Sequence, residues 1–115
     1  MPNSSSRLSD TMLELVARRF RLLGEPVRLR LLQELEDGEH TVGELVDALG
    51  SNQPNISRHL SALYEGGLLL RRRQGSNIVY GIADPLVFEL CGLVCRSTRE
   101  HMEEKLSALL SAVES

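Results

Sequence analysis

Glycine and proline punctuate the chain at regular intervals, and the stretches between them carry apolar residues at helical spacing. Leu13, Val16, Phe20 and Leu23 form a first stripe, which stops at Gly24, a residue suited to the position just past a helix end. Pro26 fits a first helical turn, and Leu29, Leu32 and Leu35 carry a second helix toward Gly38. Thr41-Val42-Gly43-Glu44 has the form of a capping box, in which hydroxyl and carboxylate satisfy each other's backbone N–H groups. Val42, Leu45, Val46 and Leu49 then make one apolar face that ends at Gly50. Ser51 or Asn52 can cap the next helix, with Pro54 in its first turn and Gly66-Gly67 beyond its end.

In that helix Ile56, Leu60 and Leu63 form the buried stripe, which leaves Gln53, Asn55, Ser57, Arg58 and His59 off it. Two short helices joined by a turn, the second polar at its N-terminal end, are the helix-turn-helix pattern. The period then changes. Residues 68–73 and 78–82 flank Gln74-Gly75-Ser76-Asn77, which has hairpin-turn chemistry, and Ile78, Tyr80 and Ile82 share a strand face. A hairpin bearing Arg71, Arg72 and Arg73 just after a helix-turn-helix reads as a wing.

Asp84-Pro85 restarts a helix, with Asp as cap and Pro at the first position. Cys91, Cys95, Met102, Leu106, Leu109 and Val113 project to one side of it, and Glu89, Arg96, Glu100, Glu103 and Glu104 to the other. That apolar stripe is more than a small domain covers alone, so the first and last helices are the candidate dimer surface. The expectation is a mainly α fold with a small β-hairpin wing: a winged helix-turn-helix of about five helices, dimerising symmetrically through those two helices. Residues 1–10 are expected to be a disordered tail. Residues 11–115 are expected to form one domain, whose last helix, from about residue 84, serves dimerisation and sensing.

A formal net charge of −3 argues against nucleic acid until its distribution is considered. From Ser51 to Ile82 four arginines face one acid, Glu65, so a basic segment sits on an acidic body. With no Trp and only two Phe and two Tyr, the composition argues against a base-stacking platform for single strands. No apolar run spans a bilayer and no signal-like segment opens the sequence, so a cytoplasmic protein without a membrane partner is expected. Two cysteines four residues apart do not make a secreted disulfide framework.

Double-stranded DNA is the partner this pattern fits. Gln53 can pair with adenine, and Arg58 can reach guanine or phosphate. Asn55, Ser57 and His59 can hydrogen-bond alongside. Arg71, Arg72 and Arg73 would supply the salt-sensitive phosphate or minor-groove contacts.

From about Phe20 to Ile82 the chain resembles the ArsR/SmtB repressors. The resemblance is carried by Gly24-Glu25-Pro26-Val27-Arg28-Leu29-Arg30-Leu31-Leu32, by Thr41-Val42-Gly43-Glu44-Leu45, by Gln53-Pro54-Asn55-Ile56-Ser57-Arg58-His59-Leu60, and by a wing closing on Val79-Tyr80. It implies a symmetric dimer, recognition helices in successive major grooves of an inverted repeat, and release of DNA when an effector binds. The family's zinc pattern on the last helix is not matched. Asp84 and Glu100 fall at its acidic positions, but Leu86 and Ser97 stand where imidazoles are needed. Its cysteine pair before the recognition helix is replaced by Val46 and Ala48.

Cys91 and Cys95 remain, one turn apart, as the candidate effector-sensing residues. They are open to three readings: small apolar residues packed in the interface, ligands of a thiophilic metal or metalloid, or sensors of redox or reactive sulfur species. No cofactor is required by the first and third. His101 points away from both and is a poor third ligand. A direct disulfide between them within one helix would be strained, so a link between subunits or a bridge of extra sulfur atoms fits better. An enzyme built on Cys95 and His101 lacks an acid and an oxyanion partner. The remaining alternative is a winged helix used only for protein interaction or dimerisation.

Overall fold

The computed structural model describes residues 7–114. Of the expected tail, residues 1–6 lie outside the described residues, while Ser9 already caps the first helix by accepting from the Met12 N–H at 3.1 Å. The chain divides into two units, one up to Asp84 and one from Pro85 onward.

The first unit contains α1 (Asp10–Leu23), α2 (Pro26–Glu34), β1 (His40–Thr41), α3 (Val42–Leu49), α4 (Gln53–Glu65), β2 (Leu69–Gln74) and β3 (Asn77–Ile82). The expected punctuation operates at atomic detail. The Thr41 N–H donates to Glu44 Oε1 at 2.8 Å and the Glu44 N–H to Thr41 Oγ1 at 3.1 Å, completing the capping box of α3. Gly50 closes α3 in the left-handed conformation, with φ 61°, which lets the chain turn at once into α4. Asn52 rather than Ser51 caps α4, its Oδ1 accepting from the Asn55 N–H at 2.9 Å.

The wing is a two-residue hairpin closed by the Gln74–Asn77 pair, with Gly75 at φ 63° as primed turns require at that position. Its strands belong to a three-stranded antiparallel sheet ordered β1-β3-β2. The short strand β1, which the sequence pattern does not announce, pairs His40 with Tyr80 and Thr41 with Val79. β3 is therefore central. Val79 and Tyr80 are both buried although they point to opposite faces, so burial is not confined to the expected Ile78/Tyr80/Ile82 face.

Leu31, Leu35, Leu45, Ile56, Leu60, Leu63 and Leu68 form the centre of the core. In α2 the buried stripe is Leu31, Leu32 and Leu35; Leu29, expected in it, is 42% exposed. Both sets have helical spacing, and the packing against α3 and α4 selects the former.

The second unit is a single helix, α5 (Pro85–Glu114), about 45 Å long at the usual rise per residue. Met102, Leu106, Leu109 and Val113 lie exposed along it. Among the described residues no helix is long and apolar enough to cross a membrane.

Candidate nucleic-acid interface

α4 separates its residues by depth. Ile56, Leu60 and Leu63 anchor its inner side, while Gln53 and Arg58 are exposed and Asn55 and Ser57 half-buried. The polar side is linked internally. Arg58 Nη2 donates to Asn55 Oδ1 at 2.8 Å, and Asn55 Nδ2 donates to Ser51 Oγ at 3.2 Å. These contacts hold a guanidinium over the first turn of α4, where the helix's unpaired N–H groups also point outward.

His59 corrects the sequence expectation. It is 5% exposed, and its Nδ1 accepts a hydrogen bond from Arg28 Nε at 3.0 Å. Burial, with the charges of Arg58 and Arg28 nearby, pushes its pKa below the ordinary histidine value. The ring therefore faces α2 and not the outer side of α4. Its position three residues after Ile56 and four before Leu63 places it on the buried stripe, a signal the sequence does carry.

The wing arginines also differ from one another. Arg71 and Arg73 project from one face of β2 and Arg72 from the other. The Arg71 guanidinium lies 4.0 Å from the centre of the Tyr64 ring, at the end of α4, and Tyr80 is its cross-strand partner. Arg72 is engaged by Glu39 at 2.7 Å, and this pairing holds the Glu39 carboxyl below the usual carboxylate range. Arg73, next to the turn, is exposed and makes no ion pair among the described residues. Arg71 and Arg72 thus fix the hairpin to its surroundings, and Arg73 is the wing cation left free at the tip. Arg28, Glu39 and Tyr64 are the participants that sequence patterns do not reveal, since each acts across a long stretch of chain.

On α5, Cys91 is half-buried and burial pushes its thiol pKa up. Cys95 is exposed, and Arg99 Nη2 donates to its Sγ at 3.7 Å. Among the described residues no three His, Cys, Asp or Glu side chains converge as a metal site would require. Asp84 instead pairs with Arg19 at 2.9 Å.

A helix-turn-helix with an outward polar face, followed by an arginine-bearing hairpin, defines a winged helix-turn-helix DNA-binding protein. Residues 25–69 match the model of the arsR family of bacterial regulatory proteins. A probable mercury resistance operon repressor of Streptomyces lividans is 45% identical over 74 residues, which cover 64% of this chain and 59% of that protein. The crystal structure of Rv0081 from Mycobacterium tuberculosis superposes with a TM-score of 0.77 at 29% identity, covering 85% of this chain and 99% of that one. The solution structure of a homodimeric winged helix-turn-helix DNA-binding domain from Mycobacterium bovis gives a TM-score of 0.73 at 37% identity, covering 83% and 91%. The chain belongs to the ArsR/SmtB family of transcriptional repressors. It is a DNA-binding regulator.

Proposed function

We propose that the protein acts as a homodimer that occupies an inverted-repeat operator and leaves it when an effector engages Cys91 and Cys95. The observation that carries the DNA half of this reading is the two-sided character of α4. Arg58 lies exposed opposite the fully buried Ile56, Leu60 and Leu63, Gln53 lies exposed at the start of the helix, and Arg73 extends the cationic surface onto the wing. Gln53, Asn55, Ser57 and Arg58 contact base edges and adjacent phosphates, and Arg73 contacts phosphate or the minor groove. Occupying a promoter in this way blocks transcription.

Dimerisation is supported by apolar side chains left exposed on each of two helices: Leu13 and Phe20 on α1, Leu106 and Leu109 on α5. The homodimeric state of the Mycobacterium bovis domain points the same way. The sensor reading rests on two thiols one turn apart on α5. A thiophilic ion is the effector class that the mercury-repressor relative favours. The two cysteines of one chain give half of a four-thiolate site, and the second copy's pair would complete it. Reactive sulfur or oxidation, linking cysteines between copies, is the other chemistry these thiols allow. A specific observation favours a third reading, a packing role for Cys91, since it is half-buried with a raised pKa.

The test is affinity for the duplex upstream of the protein's own gene, measured with reduced protein, with polysulfide- or peroxide-treated protein, and with mercuric ion. Loss of affinity under one treatment, absent in the Cys91→Ser/Cys95→Ser variant, identifies the sensor chemistry. Equal affinity under all treatments assigns both cysteines to packing and places the inducer elsewhere.

A further inference from the structure

Arg28 is a half-buried cation on α2 whose two contacts reach two other helices. Its Nε donates to His59 Nδ1 on α4 at 3.0 Å, and its Nη1 points to the Leu22 carbonyl in the last turn of α1 at 3.4 Å. That carbonyl is one of the groups a helix end leaves without a partner. The same end of α1 meets α4 a second time, because Leu22 Cδ1 fills the space where a side chain at Gly66 would stand. α4 is thus tied to the end of α1 at its middle and just past its end.

Arginine does not lose its proton, so its Nε can only donate. His59 Nδ1 must then accept, and the ring must be neutral with its proton on Nε2. A protonated ring would turn this hydrogen bond into two N–H groups facing each other. The charged groups around the ring are Arg28 on α2, Arg58 beside it on α4, and Glu25 at the start of α2. Two cations against one carboxylate oppose a third positive charge, as does burial.

Resting on the reading of α4 as the recognition helix, we infer that Arg28 is a positioning residue for DNA recognition: through neutral His59 it locks α4 against α1 and α2, and protonation of His59 opposes operator binding. His59 contributes to affinity without touching DNA. Acidification then loosens the lock from inside while leaving Gln53, Asn55 and Arg58 in place on the helix.

The experiment measures affinity of the full chain for its upstream duplex, at fixed salt, between about pH 7.5 and about pH 5.5, a span centred on the ordinary histidine range. Asn at 59 places an amide oxygen near the Nδ1 position and cannot be protonated; Leu offers no acceptor. His59→Asn is expected to bind like the wild type at the upper pH. His59→Leu and Arg28→Ala are expected to lose roughly tenfold or more, as an unsatisfied buried group costs. Wild-type affinity should fall on acidification, and that fall should be shallower in His59→Asn, which retains His40 and His101. Nitrogen NMR of the free protein should show Nδ1 unprotonated and Nε2 protonated in the neutral form, a readout that does not depend on DNA or on the Leu variant folding. A ring protonated on Nδ1, or equal pH profiles for wild type and His59→Asn, would overturn the inference. A wild-type protein that binds duplex no better than His59→Leu overturns it alone. A wild-type protein that binds no duplex overturns the DNA reading and the inference with it.

Discussion

Glu39 reaches Arg72 across the central strand β3: Arg72 Nε donates to both carboxylate oxygens at 3.1 and 3.2 Å, and Nη2 to Oε1 at 2.7 Å. The carboxylate passes over Gly81, where a Cβ would come within 3.1 Å of Glu39 Cγ. A residue just before β1 thereby neutralises one wing cation. Glu39→Gln should remove that charge while keeping the side chain's shape. Duplex affinity at low salt is expected to rise a few-fold, and the salt dependence to steepen by up to about one phosphate contact. Stability should change little, because the pair is exposed. Weaker binding would mean that the pair's main effect is to aim the hairpin.

Thr41 serves at once as a residue of β1 and as the cap of α3. Thr41→Ala removes the acceptor for the Glu44 N–H and should cost about 1 kcal/mol in chemical denaturation. Because α3 abuts the turn into α4, operator binding should weaken in parallel. A variant of unchanged stability would show that water replaces the cap without loss.

Leu60 is fully buried midway along α4. Leu60→Ala removes a side chain from the centre of the core, and about 2–5 kcal/mol of stability is expected to go with it. Urea unfolding followed by circular dichroism measures this directly. A cost below about 1 kcal/mol would mean that the helix is not anchored as described.

The two histidines of the first unit should drive stability in opposite directions with pH. His40 bonds to Asp37 and lies near Glu44, so its pKa is raised above 6.5. Its contribution is complete below 6.5 and is lost as pH rises through the higher folded value. His59 has a lowered pKa, so the unfolded chain takes up its proton first. The folded state therefore loses stability as pH falls below 6.5 toward the folded value. Denaturation midpoints from pH 5 to pH 8, about the histidine range, should show the acid-side loss diminished in His59→Asn and the alkaline-side loss diminished in His40→Gln. Profiles unaltered by either substitution would contradict these assignments.

The helix-turn-helix was legible because its signals are local. Thr41 and Glu44, Gly50, Asn52 and Gly66 each act within a few residues of themselves. The features that escaped depend on pairing at long range. A two-residue strand such as β1 has no period to detect, and its paired residue Tyr80 lies far along the chain from His40. Glu39 and Arg72 are 33 residues apart, and Arg28 and His59 are 31 apart. Three wing arginines look equivalent in sequence, yet the strand pleat and their different partners leave Arg73 alone at the tip. In α2 the leucines admit two helical stripes, and only packing decides that Leu31 is inside and Leu29 outside.

Arg58, exposed and oriented by Asn55, tests most directly whether α4 and the wing read operator DNA. Fluorescence anisotropy should compare wild type, Arg58→Ala and Arg73→Ala on the upstream duplex and on an unrelated duplex across a range of salt. Wild-type binding is expected to be tight and salt-sensitive and to prefer the upstream duplex. Arg58→Ala should lower that preference, with a cost of about 1–3 kcal/mol on the cognate site. Arg73→Ala should weaken both duplexes alike and flatten the salt dependence by about one contact. Wild-type binding with no preference between duplexes, or Arg58→Ala binding as tightly and selectively as the wild type, would contradict operator reading by α4 and the wing.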